Sequence, residues 1–342
     1  MGYMNLFLAN LPNGFWQNLI GYFVDFVGNY GLAIILFSIA LKIVLSPLDF
    51  MQRKITKNNT EKQAKLKPQL DKLQKKYANN KETLNQKTME LYKKENYNIV
   101  GSCLGMLVNL ALTLVIFITL FSAMRNISEF KLADQYSELQ TAYTTAYDIE
   151  YAIENNSENA ILKGQEAVLD KYLEVKEGFL WISNVWMPDT QANVIPNYER
   201  FLNLSNLNEE SRPTEEEYNE VMGILQQEYS GWNGYYILII LAGAVTYFSQ
   251  KVMQGKLNKT NEVKTQNADG KEELPMPQMN GKFMQILLPA LMVIFTISYS
   301  AAFALYIVIN SLMTLIISII ANKIIDKLEA KKEEKNKLSY SR

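Results

Sequence analysis

Long stretches without a charged residue constrain this chain more than any other feature of its sequence. One apolar stretch lies between Asp25 and Lys42, and longer charge-free stretches cover residues 96–124, 229–250 and 283–322. A helix needs about 20 apolar residues to cross the ~30 Å hydrocarbon core of a bilayer. The first three stretches therefore predict one spanning helix each. The fourth is twice too long for one helix and predicts a hairpin of two, which makes five spans.

Charges are distributed unevenly between the segments that join these stretches. Residues 51–96 contain 13 Lys and Arg against 5 Asp and Glu, whereas residues 126–234 contain 6 against 20. Basic loops stay in the cytoplasm, so we predict that 51–96, the 251–282 loop and the tail from 323 are inside. The acidic region and the N-terminus are then outside. The net charge of -1 is only the sum of two oppositely charged faces.

The residue types that are missing argue against several kinds of site. Histidine is absent and Cys103 is the single cysteine, which removes imidazole bases, the commonest zinc ligand and any intrachain disulfide. No glycine-rich phosphate loop is present, and the N-terminus does not predict a removable signal peptide. We therefore expect no cofactor, no metal site and no catalytic residues, in a protein that is not an enzyme.

Two segments have helical spacing but are not apolar enough or long enough to span. Residues 15–27 predict an amphipathic helix in the outer interface. Residues 51–97 predict a cytoplasmic coiled hairpin of two helices, because apolar residues recur at spacings of 4 and 3. Its predicted seam contains Leu66, Leu70, Leu73 and Tyr77 in the first arm and Leu84, Thr88 and Leu91 in the second. A solvated hairpin with a purely structural role explains the same pattern.

The acidic region contains two segments, 132–176 and 190–230, that lack strand alternation and are predicted to be helical or partly disordered. The complete predicted order is an N-terminal interfacial helix (1–29), the first span (30–50), the hairpin (51–97), the second span (98–124), the acidic outer region (125–230), the third span (231–252), a cytoplasmic loop (253–282), the fourth and fifth spans (283–323) and a basic cytoplasmic tail (324–342).

Lys42 lies about midway along an otherwise uncharged run, GLAIILFSIALKIVLSPL, from Gly31 to Leu48. A charge at that depth costs about 2.5 to 3.5 kcal/mol, so it normally faces a wet cavity or a partner. This position predicts a functional site inside the membrane. In the alternative, Lys42 snorkels toward the inner headgroups, since it is about 11 residues, and hence ~16 Å, from Arg53.

Six segments follow one another along the chain: FVGNYGLAIILFSIALKIVLSPL, KLKPQLDKLQKKY, MELYKKENYN, GSCLGMLVNL, FLWISNVWMPD and FALYIVINSL. In this order they resemble parts of the YidC family of membrane protein insertases. The first is similar to the family's first core span, the next two to its cytoplasmic hairpin, and the last three to its second span, the segment before its third span and its last span. The family usually has Arg at position 42 and Gln at position 109, where this chain has Lys and Asn. It usually has proline at positions 105, 111 and 300, where this chain has Gly, Ala and Ser.

The resemblance implies an all-α polytopic membrane protein with five transmembrane helices around a polar groove that opens to the cytoplasm and to lipid. In such a groove, hydrophilic segments of nascent membrane proteins are captured before their helices pass into the bilayer. The polar side chains expected to line it are Lys42, Asn109, Asn310 and Thr314, of which the last two share one helix face. The three uncharged residues serve equally well, in the alternative, as ties between helices.

The resemblance also implies a bacterial cell membrane location, nascent membrane proteins and lipids as partners, and a monomeric working state. The Sec translocon is a further expected partner, and so is the ribosome, through the basic tail that carries Lys327, Lys331, Lys332, Lys335 and Lys337. Enforcing topology or touching anionic lipid explains that tail as well. Two other function classes stay open. One is a small-solute anion channel or transporter that uses Lys42, although the chain lacks an internal repeat. The other is a membrane enzyme.

Overall fold

Helices make up almost all of the regular structure in this chain. A computed structural model describes residues 14–95, 99–204, 212–254 and 281–340, and within 99–110 and 332–340 it describes the backbone alone. No strand occurs in these ranges, which confirms the all-α prediction for the described residues. Their helices are α1 (Phe15–Val27), α2 (Tyr30–Lys76), α3 (Lys81–Lys94), α4 (Ile99–Glu154), α5 (Ser157–Val175), α6 (Tyr198–Leu204), α7 (Glu215–Glu228), α8 (Ile237–Gln254), α9 (Gly281–Ser298) and α10 (Ala301–Tyr340).

Five of these helices contain the apolar stretches. Within the described residues, three are long and apolar enough to cross a membrane, over Tyr30–Ile55, Ala111–Glu154 and Ala301–Leu328. Two shorter apolar helices cover Ile237–Val252 and Ile286–Ser298. The chain is thus an all-α polytopic membrane protein. The prediction that the two shorter helices also span is compatible with the 18 residues of α8 and of α9, which are ~27 Å long.

Hydropathy boundaries are not helix ends in this protein. Helix α2 continues from the first apolar stretch into the hairpin, α4 continues from the second into the acidic region, and α10 continues into the basic tail. A charged side chain changes the solvent that a helix prefers but does not interrupt its backbone hydrogen bonds. The 40-residue stretch 283–322 does break, at Tyr299 and Ser300, as the hairpin prediction requires.

Two compact units divide the chain. Unit 1 takes Met1–Ala40, Phe117–Ala244 and Ala290–Ser311 and so contains the acidic region. Unit 2 takes Leu41–Ile116, Val245–Pro289 and Leu312–Arg342 and so contains the hairpin.

The acidic region of unit 1 is folded around a core rich in tyrosine. Residues from four helices and the loop before α6 form this core: Tyr136, Leu139, Tyr143, Val168, Tyr172, Val194, Ile195, Phe201, Tyr218, Val221, Met222 and Leu225. Helix α5 packs so closely on α4 that a Cβ on Gly164 would lie 2.7 Å from the Tyr143 ring. The described helices of 132–176 and 190–230 agree with the helical alternative of that prediction, whereas residues 190–197 form a loop. The two segments share one core, which the sequence did not predict.

A loop between α5 and α6 contains a buried polar network, also in unit 1. Asp189 is fully buried, and its carboxylate accepts hydrogen bonds from the backbone N–H groups of Tyr235 at 2.9 Å and Leu238 at 2.6 Å. Leu238 is in the first turn of α8, so the carboxylate caps the positive end of that helix. The side-chain oxygen of Asn233 accepts a hydrogen bond from the backbone N–H of Asn184 at 2.7 Å. The side-chain NH₂ of Asn233 donates to the backbone carbonyl of Asn184 at 2.9 Å.

The same loop provides the hydrogen-bond acceptors for the first N–H groups of α10. The first N–H groups of that helix belong to Ala301 and Ala302, and they donate to the carbonyls of Met187 at 2.8 Å and Val185 at 3.0 Å. Helix starts leave N–H groups without intrahelical partners, and burying them unpaired would be costly. The segment that resembles the family's motif before the third span therefore caps the N-terminal ends of two apolar helices, α8 and α10.

Helix α1 is present over Phe15–Val27, as predicted. At 13 residues, or ~20 Å, it is too short to span. It buries Ile20 and exposes Phe15 and Phe26, while the indole of Trp16 donates to the Thr119 hydroxyl at 3.0 Å. The helix ends at Gly28, whose φ of 74° is the left-handed conformation that glycine adopts most easily. Its place in the membrane interface stays a prediction.

The hairpin in unit 2 has the predicted two arms. Its turn includes Asn80, whose side chain accepts a bond from the Thr83 N–H and caps α3. Leu66 and Leu91 are buried between the arms, and Leu70, Leu73 and Tyr92 pack against them. Tyr92 was not predicted in this seam, and the predicted members Tyr77, Leu84 and Thr88 are half-buried.

Candidate functional site

Lys42 is buried in the apolar part of α2, with 8% of its surface exposed. Its Nζ lies 2.8 Å from Oδ2 of Asp49. The two residues are seven apart, about two helical turns, and therefore lie on the same face of α2. The ammonium extends toward the C-terminal end of the span, the direction that snorkelling requires, and ends at a carboxylate. The Asp49 side chain is 33% exposed, against 11% for that of Lys42, so only one member of the pair reaches water readily.

A second basic residue on this face connects α2 to α10 within unit 2. Arg53 is four residues beyond Asp49, and its guanidinium donates to the Ser318 hydroxyl and, at 3.2 Å, to Oδ1 of Asn322. Ser318 is almost completely buried and in turn donates to the carbonyl of Thr314. The face thus presents a row of Lys42, Asp49 and Arg53. One carboxylate stands between two cations, which leaves a net positive charge.

The other predicted groove residues are placed less directly. Thr314 and Asn310 are half-buried, one turn apart on α10, in unit 2 and unit 1 respectively. Asn109 belongs to α4, but its side chain lies outside the described part of the structure. The described ion pair of Lys42 runs along its own helix. The meeting of all four side chains in one groove therefore stays a prediction.

The described residues contain no cluster of potential metal ligands. Within the described residues, no group of three Asp, Glu, His or Cys side chains is arranged to hold a metal ion. Lys42 itself can form ion pairs and donate hydrogen bonds. A buried lysine beside a partly exposed carboxylate has the chemistry for reversible capture of an anionic group.

A comparison with protein families matches residues 22–329 to the family described as 60Kd inner membrane protein. That segment includes the first apolar stretch, the Lys42 site, the hairpin, the acidic region and the last apolar helix. The chain belongs to the 60Kd inner membrane protein family. This membership confirms the resemblance on which the groove residues were predicted, although it does not test the role of any one of them.

Curated relatives of this family member carry the name membrane protein insertase YidC. The one from Fusobacterium nucleatum is 40% identical over 111 residues, which are 32% of this chain and 52% of that protein. The one from Lawsonia intracellularis is 38% identical over 112 residues, 33% of this chain and 20% of that protein. A relative from Leptospira interrogans is 42% identical over 97 residues, 28% and 14% of the two chains. The matches thus span about half or less of the relatives' length.

Three residues of the Lys42 site were not predicted from the sequence, namely Asp49, Arg53 and Ser318. A signal for the first two was present, because positions 42, 49 and 53 are separated by 7 and 4 and so share a helix face. Pro47 lies between Lys42 and Asp49, and α2 continues through it. Ser318 carried no such signal, because its meeting with Arg53 depends on tertiary packing.

Proposed function

We propose that this protein inserts newly made proteins into the bacterial cell membrane. It captures their hydrophilic segments in a polar groove that faces the cytoplasm, and it releases their apolar helices into lipid. Membership of the 60Kd inner membrane protein family and the printed names of the relatives support this function. The observation that carries the proposal is Lys42, a buried cation in an apolar span whose partner carboxylate is partly exposed.

Asp49 is the resting partner of Lys42 in this mechanism. Its carboxylate removes most of the cost of a buried ammonium while no substrate is bound. An acidic residue in an incoming tail presents the same chemical group and can replace it, because Asp49 regains water when it leaves. Exchanging one carboxylate for another costs little free energy, whereas a basic tail would meet a repelling charge. The site therefore favours short acidic tails.

Insertion is driven by the substrate's own helix. Apolar residues gain about 0.3 to 0.6 kcal/mol each at the centre of a bilayer, so a 20-residue helix gains roughly 6 to 12 kcal/mol. Each charge in the tail costs about 2.5 to 3.5 kcal/mol on the same scale. The helix therefore gains enough free energy to offset the transfer of one or two tail charges, and Lys42 lowers the free energy cost of that transfer further. Asn109, Asn310 and Thr314 offer hydrogen bonds to the tail's backbone while it is out of water.

An anion channel is a weaker proposal for the same lysine. A stationary anion site needs a cation whose charge is available to the solute, and Lys42 is already neutralised at 2.8 Å by Asp49. Displacement of that carboxylate suits a tethered tail better, because a tail attached to an inserting helix is present at high effective concentration. A membrane enzyme has no comparable support. The relatives' names describe insertion, which requires no chemical reaction.

The proposal includes an arrangement in the cell. The N-terminus and the acidic region are outside, and the hairpin, the loop over 253–282 and the tail are in the cytoplasm, where ribosomes deliver the substrates. The tail meets the ribosome through its lysines, of which Lys327 and Lys331 are exposed; the side chains of Lys332, Lys335 and Lys337 and most of the 253–282 loop lie outside the described residues. The protein works as a monomer among membrane lipids, alone or beside the Sec translocon.

Photo-crosslinking tests the capture step. A crosslinking amino acid at Ser46, one turn beyond Lys42, is expected to form adducts with the acidic tail of a stalled, ribosome-bound single-span protein. The matched control is the same probe at Val44, which is 73% exposed on another side of α2 and should give no adducts with the tail. Equal tail adducts from both positions, or none from either, would contradict the groove and favour solute transport.

Thiol labelling tests the orientation. In a Cys103→Ser background, Ser157→Cys should react almost completely with an impermeant reagent added outside cells, because Ser157 is exposed at the start of α5 in the acidic region. Asn79→Cys, equally exposed at the hairpin turn, should react only after the cells are opened. The reverse pattern would overturn the topology and with it the cytoplasmic groove.

A further inference from the structure

A cavity of about 200 Å³ lies in unit 1 at the break between α9 and α10, well separated in sequence from Lys42. Its wall combines an ion pair, hydroxyl groups and aromatic rings. Its lining includes Arg125, Ser128 and Glu129 of α4, Trp186 of the loop between α5 and α6, Ser300 at the break, and the ring of Phe121. This combination of polar and apolar groups is typical of a ligand site rather than of a packing defect.

Two side chains of this cavity have hydrogen-bond donors without a partner among the described residues. Arg125 donates from Nε to Oε1 of Glu129 at 2.6 Å, and its two Nη groups, on a side chain that is 51% exposed, donate no hydrogen bond within the described residues. Trp186 is 2% exposed, and its indole N–H is buried without a hydrogen-bond partner among the described residues. An unpaired buried donor costs about 1 to 3 kcal/mol, which a bound acceptor would recover.

The other donors near this cavity already have hydrogen-bond partners. The N–H groups of Ala301 and Ala302 are already bonded to the loop, and Ser128 and Ser300 are joined through their hydroxyls at 2.9 Å. Arg125 and Trp186 therefore supply the unsatisfied donors. A guanidinium with two free Nη groups matches two oxygens of one phosphate.

The depth of the cavity points to the source of that phosphate. Arg125 is the first charged residue after the charge-free stretch 96–124, so it lies where the hydrocarbon ends and the headgroups begin. Ser300 occupies the break between two apolar helices, which places the other side of the cavity at the same kind of boundary. Phospholipid phosphates occupy this level of a membrane.

We propose that this cavity binds the headgroup of an ethanolamine phospholipid. The phosphate accepts from Arg125 and from the indole N–H of Trp186. The ammonium lies against Glu129, whose side chain is 11% exposed, and against the aromatic wall that includes Phe121. A zwitterionic headgroup fits better than an anionic one, because Arg125 and Glu129 together carry no net charge. This proposal does not depend on the function proposed for Lys42.

Native mass spectrometry of the full-length protein tests this site. The protein is reconstituted with equal amounts of phosphatidylethanolamine and phosphatidylglycerol, extracted, and the retained lipids are counted. The wild type is expected to retain phosphatidylethanolamine about tenfold better, a difference of about 1.4 kcal/mol. Glu129→Gln should abolish that preference, and Arg125→Gln and Trp186→Phe should reduce retention of both lipids. Lys163→Gln removes a charge from the exposed surface of α5 and should change nothing.

Further measurements decide the remaining outcomes. Thermal unfolding of each variant in detergent identifies any that fail to fold. Trp186→Phe keeps an aromatic ring at this position while removing the N–H, so it remains informative if Arg125→Gln does not fold. A large excess of inorganic phosphate should not displace the lipid. Displacement by phosphate would show a free-anion site and overturn the lipid assignment. Equal retention of the two lipids by the wild type, or unchanged retention in all folded variants, would overturn it as well.

Discussion

Lys42→Glu is expected to reduce insertion of a single-span protein with an acidic tail about a hundredfold, which corresponds to roughly 2.7 kcal/mol. The substitution places a second carboxylate beside Asp49 and repels the tail at the point where the wild type attracts it. Lys42→Ala should reduce insertion about tenfold, because attraction is lost without repulsion. The measurement is protease access to the exported tail in cells that contain no other insertase.

Four controls separate a groove lysine from a structural one. Lys42→Arg should keep activity, because the charge remains and two more donors are gained. Lys42→Ala combined with Asp49→Asn tests whether the loss comes from an orphaned carboxylate, and it should remain as inactive as Lys42→Ala alone. Asp49→Asn alone should increase capture of acidic tails, because Lys42 loses its competitor. Neutralising the substrate's tail should shrink the effect of Lys42→Ala. Equal activity of the Lys, Ala and Glu proteins would rule out the groove assignment.

Asp189→Ala is expected to destabilise the fold by about 3 kcal/mol, because it removes a buried carboxylate that two backbone N–H groups and the Trp181 indole share. Those donors would stay buried and unpaired, and the start of α8 would lose the negative charge that its dipole favours. In detergent, the midpoint of thermal unfolding should fall by roughly 4 °C, because an unfolding entropy of ~2.1 cal/mol/K per residue makes the shift small in a chain of this length.

The matched control is Asp170→Ala, which removes the same side chain from an exposed position on α5 and should change the midpoint by less than about 2 °C. Asp189→Asn should be intermediate, since the amide keeps one acceptor but turns an NH₂ group toward a donor. A midpoint for Asp189→Ala equal to that of Asp170→Ala would show that the network adds little to stability.

Much of the architecture could be predicted from the sequence. The charge-free stretches correspond to the apolar parts of α2, α4, α8, α9 and α10, and the 283–322 stretch breaks into two helices as expected. The bounds of those helices could not be predicted, because the membrane edge is set by polarity and the helix end by backbone capping. The acidic region was predicted as helical, but nothing in its local pattern indicated that Tyr143 would pack against Gly164 of the next helix.

The candidate site likewise has features that the sequence predicts and features that depend on tertiary contacts. Lys42 was conspicuous because its cost in an apolar run depends only on residue type and depth. Its pairing with Asp49 was readable in principle from the seven-residue spacing, which places both residues on one helix face. The contact of Arg53 with Ser318 joins residues 265 positions apart and has no local signature.

By itself, the sequence determined that this chain resides in a membrane, which segments are apolar helices and where a cation is buried among them. These features follow from transfer free energies that each residue carries whatever its neighbours are. Only the tertiary structure decided which carboxylate neutralises Lys42, that Asp189 caps the N-terminal end of α8 from a distant loop, and that Arg125 and Trp186 share a cavity. Each of these depends on which distant groups the packed helices bring within a few ångströms of one another, because hydrogen bonds and ion pairs act only at that range.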